Sequence, residues 1–228
     1  MCFTASYVKE CKRSDPKFDE CVKQHAIEAI PSILKGDKEY NYPKLDPLNI
    51  TEITLNTGTQ LSIKLKDIVL SGLNGIKIED IRIDLKKQTF YMKSSFASLS
   101  IDGIYTVDGQ ILVVPVKGTG PFHLTCENMV VDYSFDYKLM KGPDGKDYVD
   151  PDLAPKLTYT VQKINVQLEN LFNGNKELGD RTNEFLNEHA LEINNEFKDT
   201  FVEAINAVST SVLKNIVQTV PYEEVYPY

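Results

Sequence analysis

The sequence predicts an α+β fold: a long C-terminal α-helix wrapped by a highly curved antiparallel β-sheet, with a short N-terminal helix. Three observations carry this expectation. The stretch from Leu178 to Val220 contains no proline and, after Gly179, no glycine. From Ile50 to about Leu171 the apolar residues alternate with period two, the mark of strands. Within that region the alternation changes parity four times, and each change bends a strand if its apolar face is to stay on one side.

In chain order, Phe18 to Leu34 carries Cys21, Val22, Ala26, Ile27, Ala29, Ile30 and Leu34, an amphipathic helix with Asp15-Pro16 at its start. Pro31 kinks or ends it, and Gly36 stops it. Tyr42-Pro43 through Asp46-Pro47 is an extended connector. Asn74-Gly75 and Asp108-Gly109 are tight-turn signals, and Lys141-Gly142-Pro143-Asp144-Gly145 is a longer loop.

The parity changes come in four places. Leu61, Ile63 and Leu65 give way to Ile68 and Leu70. Ile76 and Ile78 give way to Ile81, Ile83 and Leu85. Phe122, Leu124 and Cys126 are followed by Met129, Val131, Tyr133, Phe135 and Tyr137. Leu157, Tyr159 and Val161 are followed by Ile164, Val166 and Leu168. Each reads as a β-bulge, the alternative being a loop between two short strands. Together they favour a sheet curved with its apolar face inward.

In the C-terminal stretch, Leu186, Ala190, Ile193, Phe197, Phe201, Ile205, Val208, Val212 and Ile216 recur at steps of three and four. A single helix of this length would be roughly 60 Å long. Val202, Leu213 and Val217 widen the apolar face towards the end, so the second half is expected to be enclosed rather than laid on a surface. A coiled coil is the simpler alternative, but the flanking positions lack regular e/g charges. The expected boundaries within one domain, 1-228, are an arm and helix over 1-36, the curved sheet over 37-172 and the long helix with its tail over 173-228.

Of the 228 residues, 42% are hydrophobic and 25% charged, with a net charge of −8. That balance, with no long basic cluster, argues against nucleic acid as a partner. No apolar run approaches the ~20 residues of a membrane-spanning helix, so no integral membrane contact is expected. The opening Met1-Cys2-Phe3-Thr4-Ala5-Ser6 is too short for a signal-peptide apolar region and reads as the end left after its removal, carrying an added Met1. Cys11 and Cys21 bracket nine residues with a turn at Asp15-Pro16. A disulfide there would contribute roughly 2.5–3 kcal/mol and imply an oxidising, extracellular setting. The alternatives are free thiols or metal ligands, with only His25 near and no zinc spacing. Asn49-Ile50-Thr51 is a glycosylation sequon, although such triplets also arise by chance. Cys2 and Cys126 are left over. Cys126 shares the parity of Phe122 and Leu124 and reads as a buried, unreactive thiol.

Catalytic signatures are missing: there is no Gly-x-Ser-x-Gly, His-Glu-x-x-His or P-loop. His25, His123 and His189 are scattered. His123 is out of phase with its apolar neighbours and should point to the convex side. His189 borders the apolar helix face and reads as structural, or else as a hydrogen-bond partner for a ligand's polar end. Asn187, Asn194 and Asn195 are poor helix formers; any that turn inward could offer an amide to a ligand, and at least two should be exposed.

Several motifs resemble one family. Cys11-Lys12-Arg13-Ser14-Asp15-Pro16 followed by Cys21, Leu45-Asp46-Pro47-Leu48, the Ser71-Gly72-Leu73 turn and Gly103-Ile104-Tyr105 leading to Gly109-Gln110-Ile111-Leu112 are similar to the insect takeout and juvenile-hormone-binding proteins. Pro115, Gly118, Gly120, Asn170-Leu171-Phe172, Asn183 and Asn187 complete the pattern. The resemblance implies a tubular lipid-binding fold related to the bactericidal/permeability-increasing type, secretion, and an internal tunnel for a hydrophobic ligand. Juvenile-hormone binders proper carry a second disulfide into the C-terminal helix. Leu178 to Tyr228 here contains no cysteine, which places the chain on the takeout side and argues against juvenile hormone itself as ligand.

The resulting expectation is a secreted, monomeric carrier, not an enzyme, needing no cofactor or metal, for a terpenoid hormone, quinone or fatty-acid-like lipid. Its ligand-binding residues on the sheet would be Phe90, Met92, Phe96, Phe122, Leu124, Met129, Tyr133, Phe135 and Tyr159. Those on the helix would be Phe197, Phe201, Ile205 and Val208. The alternatives are an enzyme acting on a hydrophobic substrate and an interaction protein whose apolar residues fill a solid core.

Overall fold

A computed structural model describes residues 7, 9–38, 42–56 and 61–228; the expectations for Met1 and Cys2 lie outside them. In chain order the elements are α1 (Phe18–Ile33), β1 (Leu48–Asn56), β2 (Leu61–Ser71), β3 (Lys77–Asp84), β4 (Thr89–Ile111) and β5 (Val114–Asp136). There follow β6 (Leu139–Lys141), β7 (Asp147–Val149), β8 (Lys156–Thr160), β9 (Lys163–Leu168), α2 (Lys176–Glu188), α3 (Ala190–Glu196), α4 (Lys198–Val217) and α5 (Tyr222–Val225).

The main sheet is antiparallel, ordered β1-β2-β4-β5-β8, with β3 also on β4 and β9 also on β5. Its spine is the 23-residue pair β4 and β5. The expected turn at Asp108-Gly109 does not form. Tyr105, Val107 and Ile111 keep alternating inward through it, and Asp108 pairs with Lys117 across the ladder at 2.7 Å. The chain reverses instead at Leu112-Val113, where Leu112 takes φ 52.

The parity changes bend the sheet by two devices. In β2 and β3 the register shifts, between Lys66 and Val69 and between Ile78 and Asp80. Asp67, inside the first shift, has φ 49. In β5 the slip is shared with its neighbours. Phe96 opposite Met129 and Ser98 opposite Glu127 leave Ala97 and Asn128 displaced together, Asn128 at φ 52. On the other side β8 and β9 are one strand line broken at Val161-Gln162, where the Asn128 amide donates to Gln162 Oε1 at 3.0 Å. One fold line therefore crosses β4, β5 and the β8/β9 line. The fourth expected bulge is this break between two short strands.

Curvature brings opposite edges to the same helix: α4 packs against both β1 and β8, which do not pair with each other. The C-terminal helix is not one straight rod. His189 (φ −105, ψ 15) and Phe197 (φ −101, ψ 15) interrupt it, although the i to i−4 bonds at Phe185–His189, His189–Ile193, Ile193–Phe197 and Phe197–Phe201 continue at 2.9–3.1 Å. Asparagines lie beside the interruptions for a reason. Asn183 and Asn187 turn their amides onto the free edge of β9. Leu168 N donates to Asn183 Oδ1 (2.9 Å) and Asn183 Nδ2 to Leu168 O (2.9 Å). Val166 N donates to Asn187 Oδ1 and Asn187 Nδ2 to Val166 O, both at 2.8 Å. The Asn187 amide also donates to Asn183 O at 2.7 Å, competing with the helical ladder. Two side chains thus replace the missing neighbour strand.

At the far end α1 closes the trough. Ile83, Phe90 and Phe135 stand opposite one another across β3, β4 and β5, so they share the concave face, and α1 packs on the β3 part of it. Ile27, expected on the apolar face of α1, is 46% exposed. The Cys11–Cys21 disulfide ties the N-terminal arm to α1. The arm bonds the tail through Cys11 N to Val225 O (3.0 Å) and Arg13 N to Pro227 O (2.9 Å). Tyr222 and Tyr226 pack inward, the hydroxyl of Tyr222 lying 2.7 Å from that of Tyr137.

Asn187→Ala leaves the N–H and C=O of Val166 without partners. It is expected to cost about 2 kcal/mol, lowering the melting temperature by about 4–8 °C, whereas exposed Asn195→Ala leaves it unchanged. Equal thermal denaturation curves for the two variants would contradict this account.

Candidate ligand-binding site

Apolar side chains between helix and sheet fall into separate clusters. Beneath α4, Phe96, Met129, Tyr133, Phe135 and Tyr159 are buried together, with Phe90, Phe201 and Ile205 against them. Towards α2, Phe122 is buried with Leu124 and Phe197 alongside. Met92, with a share of Phe90, belongs to the cluster under α1. Val208 stands apart, on a groove beside α4. The structure brings eight of the thirteen expected ligand residues into one cluster and distributes the others.

The decisive contrast lies in α4. None of its twenty residues is buried, although Phe201, Val202, Ile205, Leu213 and Val217 all face the concave aromatics. In α2, by comparison, Thr182, Asn183 and Leu186 are buried against the sheet. The helix is therefore seated closely at its first segment and loosely at its last.

Along the loose segment, a groove of about 590 Å³ runs between β1 and α4. Leu48, Ile50 and Ile53 line it from the strand, and Ala204, Ala207, Val208 and Val212 from the helix. A second hollow of about 520 Å³, lined by Glu203, Asn206, Ala207, Thr210, Ser211 and Lys214, shares its rim. The groove's volume falls in the range of small-molecule sites, ~300–1,000 Å³, whereas the second hollow is lined by α4 alone and is an open depression on the helix surface. The sequence reading missed the strand side of the groove. Its signal was the small-residue series Ala204, Val208 and Val212, which lets a backbone sit back from its neighbour.

Two polar atoms in this region are buried without a partner among the described residues, the Tyr133 hydroxyl and Asn206 Oδ1. The Tyr133 hydroxyl lies beside the Thr210 side chain but not in hydrogen-bonding geometry, and burial pushes its pKa up. Orphaned buried polar groups cost about 1–3 kcal/mol each and call for an explanation. The remaining asparagines are accounted for. Tyr159 donates to Asn194 Oδ1 at 2.7 Å, both buried, and burial holds the Tyr159 phenol at about 12. With Asn187 on β9, only Asn195 of the three asparagines is exposed, so the expectation of two exposed ones fails. The sheet edge consumes Asn187, and Tyr159 consumes Asn194.

The histidines take no part in this site. His123 Nδ1 pairs with Asp102 Oδ1 at 2.6 Å on the exposed convex side, as its phase requires. Ser100 donates to the other oxygen of Asp102 at 3.1 Å. The carboxylate, not the imidazole, touches the serine, so this trio cannot activate a nucleophile. His189 pairs with Glu192 at 3.1 Å and packs on Phe185. His25 Nδ1 approaches Cys11 Sγ at 3.3 Å, but both sulfurs of that group are joined in the disulfide and offer no thiolate to a metal. Cys126 is free and half-buried rather than fully buried, and burial pushes its thiol up to about 11.

The family motifs of the sequence acquire contacts. Asp46 accepts from Gly72 N (3.1 Å) and Asn74 N (2.8 Å), joining the connector to the β2–β3 turn. The segment from Glu169 to Leu171 crosses β5 so closely that a Cβ on Gly120 would meet Glu169 O at 2.4 Å, and one on Gly118 would meet the Tyr105 hydroxyl at 2.9 Å. Tyr105 donates to Glu169 O at 2.6 Å, and Asn170 Nδ2 to Thr119 O at 2.7 Å.

Fold and interior define a helix-in-trough protein with an apolar lining and no assembled catalytic group among the described residues. The chain belongs to the haemolymph juvenile hormone binding protein (JHBP) family, whose sequence profile matches residues 2–227. The crystal structure of Epiphyas postvittana Takeout 1 superposes with a TM-score of 0.86 at 27% identity, covering 97% of this chain and 100% of that one. The circadian clock-controlled protein daywake of Drosophila melanogaster is 25% identical over 236 aligned positions, 97% of this chain and 87% of that protein. The "Putative beta-carotene-binding protein" of Schistocerca gregaria is 26% identical over 143 residues, 62% of this chain; the match spans only 57% of that protein's length. No helix among the described residues is long and apolar enough to cross a membrane.

Cys126 supplies a pH test. Its folded pKa, about 11, lies above that of an unfolded thiol. The stability held by the buried neutral form is therefore complete below the ordinary thiol range and lost as pH rises through about 11. Iodoacetamide labelling of the folded protein is expected to stay slow at pH 8 and accelerate only towards pH 11, while the denatured chain reacts quickly at pH 8; rapid labelling of the folded protein at pH 8 would contradict this.

Proposed function

We propose that the protein is a secreted, monomeric carrier that holds one small hydrophobic molecule between α4 and the concave face of the sheet. The observation that carries this is the loose seating of α4: apolar residues point at apolar residues, yet none in the helix is buried. A ligand chain between them would complete the burial, each 100 Å² of hydrocarbon withdrawn from water contributing roughly 2.5 kcal/mol. Phe96, Met129, Tyr133, Phe135 and Tyr159 would line the sheet side, and Phe201, Ile205 and Val208 the helix side. Phe122, Leu124 and Phe197 would extend the site towards α2, with Phe90 and Met92 closing it near α1. The groove between β1 and α4 offers the route of access.

Ligand class follows from the lining. It carries no convergent charge, so long, weakly polar molecules fit: isoprenoids, quinones or fatty-acid-like chains. The family description and the locust relative name isoprenoid ligands, juvenile hormone and beta-carotene, which supports the first of these. The Tyr133 hydroxyl can donate to a carbonyl, ester or ether oxygen at the ligand's polar end, relieving an orphan atom. Secretion is supported by the Cys11–Cys21 disulfide and by the family's haemolymph description. No covalent chemistry is required of the chain.

An apolar fluorescent probe is expected to bind, and Phe201→Glu to abolish binding while circular dichroism shows the fold intact. Retained affinity in the folded variant would place the site elsewhere and sink this reading. Tyr133→Phe separates the polar contact from the burial: a probe ending in a carbonyl should lose about 1 kcal/mol, a purely hydrocarbon probe nothing. The ligand-free variant should melt no lower than the parent, and an equal loss for both probes would contradict the contact.

A further inference from the structure

We propose that Asn49 carries an N-linked oligosaccharide, and that this glycan covers both the free edge of β1 and the mouth of the groove beside α4. Asn49-Ile50-Thr51 is the only Asn-x-Ser/Thr triplet in the chain. A triplet alone is weak, but its placement here is specific. Asn49 and Thr51 are exposed, whereas Ile50 between them lies opposite Ile68, which is 2% exposed on the concave side. Both sequon side chains therefore point away from the interior. The Asn49 amide makes no hydrogen bond to any described residue. Asn49 and Thr51 also border the 590 Å³ groove.

The position meets a physical need. Among the described residues β1 ends the sheet order and pairs with β2 alone. A nine-residue edge strand exposes backbone donors and acceptors to any strand of another chain, and proteins normally blunt such edges with proline, charge or cover. β1 contains no proline, and its one charged residue, Glu52, is engaged by Lys64 and Lys66 of β2, at 2.8 and 3.6 Å. The opposite edge, β9, is covered by Asn183 and Asn187; beside β1, among the described residues, stand α4 across the groove and Pro43. A hydrated oligosaccharide at Asn49 supplies the missing cover without filling the interior, and it narrows the way to the ligand.

This inference rests on the reading of the protein as secreted, and the test separates the two. The full chain, preceded by a cleavable secretion leader, is expressed in a secreting insect cell line and the secreted protein is treated with a peptide N-glycosidase. The expected result is loss of the mass of one oligosaccharide, with aspartate at position 49 in the released peptide. Asn49→Gln and Thr51→Ala should each leave the cells at bare peptide mass. Secreted parent protein at bare mass would overturn the inference and leave the carrier reading standing. A chain retained inside the cell at bare mass would overturn both the inference and the secreted assignment. For the cover itself, enzymatically deglycosylated protein is expected to take up an apolar probe severalfold faster than the glycosylated form, with affinity retained. Identical association rates would overturn the proposed shielding.

Discussion

The architecture depends on how the sheet's last strand is finished. A curved sheet that does not close must leave edges, and an open edge costs unsatisfied backbone groups or invites another chain. Here the amides of Asn183 and Asn187 pair with the N–H and C=O of Leu168 and Val166, so a helix performs the hydrogen bonding of a strand. This contact fixes the position and rotation of α2 against the sheet. The close passage of the segment from Glu169 to Leu171 over the glycines of β5 fixes where that helix begins.

Given that anchor, the rest of the helix is free to lie loosely. The two interruptions, at His189 and Phe197, separate a segment bound by amides from one that meets the sheet chiefly through apolar side chains, with Lys198 over the Tyr159 ring. The shared fold line through Ala97, Asn128 and Gln162 curls the sheet far enough for β1 and β8 to flank the same helix without pairing with each other. Rigidity at one end and slack at the other come from different chemistry: oriented hydrogen bonds in the first case, non-directional burial in the second. The proposed carrier, which has to admit and release a greasy molecule, needs both.

Much of this was legible in the residues because period and phase are local properties. Alternation located the strands, and the slips at Asp67, Glu79, Asn128 and Gln162 located the bends, since a strand cannot change faces without one. The direction of His123 followed from the same rule. What escaped has a common character: it depends on distances between elements that phase does not encode. Phase gave the facing sides of α4 and β5 but not the gap between them. The β4–β5 reversal at Leu112-Val113 was hidden because Asp108-Gly109 has the better turn chemistry, and long-range pairing overrode it. Asn187 looked like an exposed or ligand-facing group because the free edge that consumes it belongs to a strand 21 residues away, and Asn194 because its partner, Tyr159, lies 35 residues away. Met92 and part of Phe90 fell to a separate cluster because α1 lies on the same concave face, which no local pattern announces.

The clasp between the arm and the tail carries a consequence for biogenesis. Cys11 and Arg13 bond residues 225 and 227 of a 228-residue chain. The clasp that closes this end of the trough thus awaits the synthesis of residues 225–227. Until then the hydrophobic lining is roofed at the sheet's amide-bound edge and open at the opposite extremity. The partly made protein is accordingly an unsealed vessel.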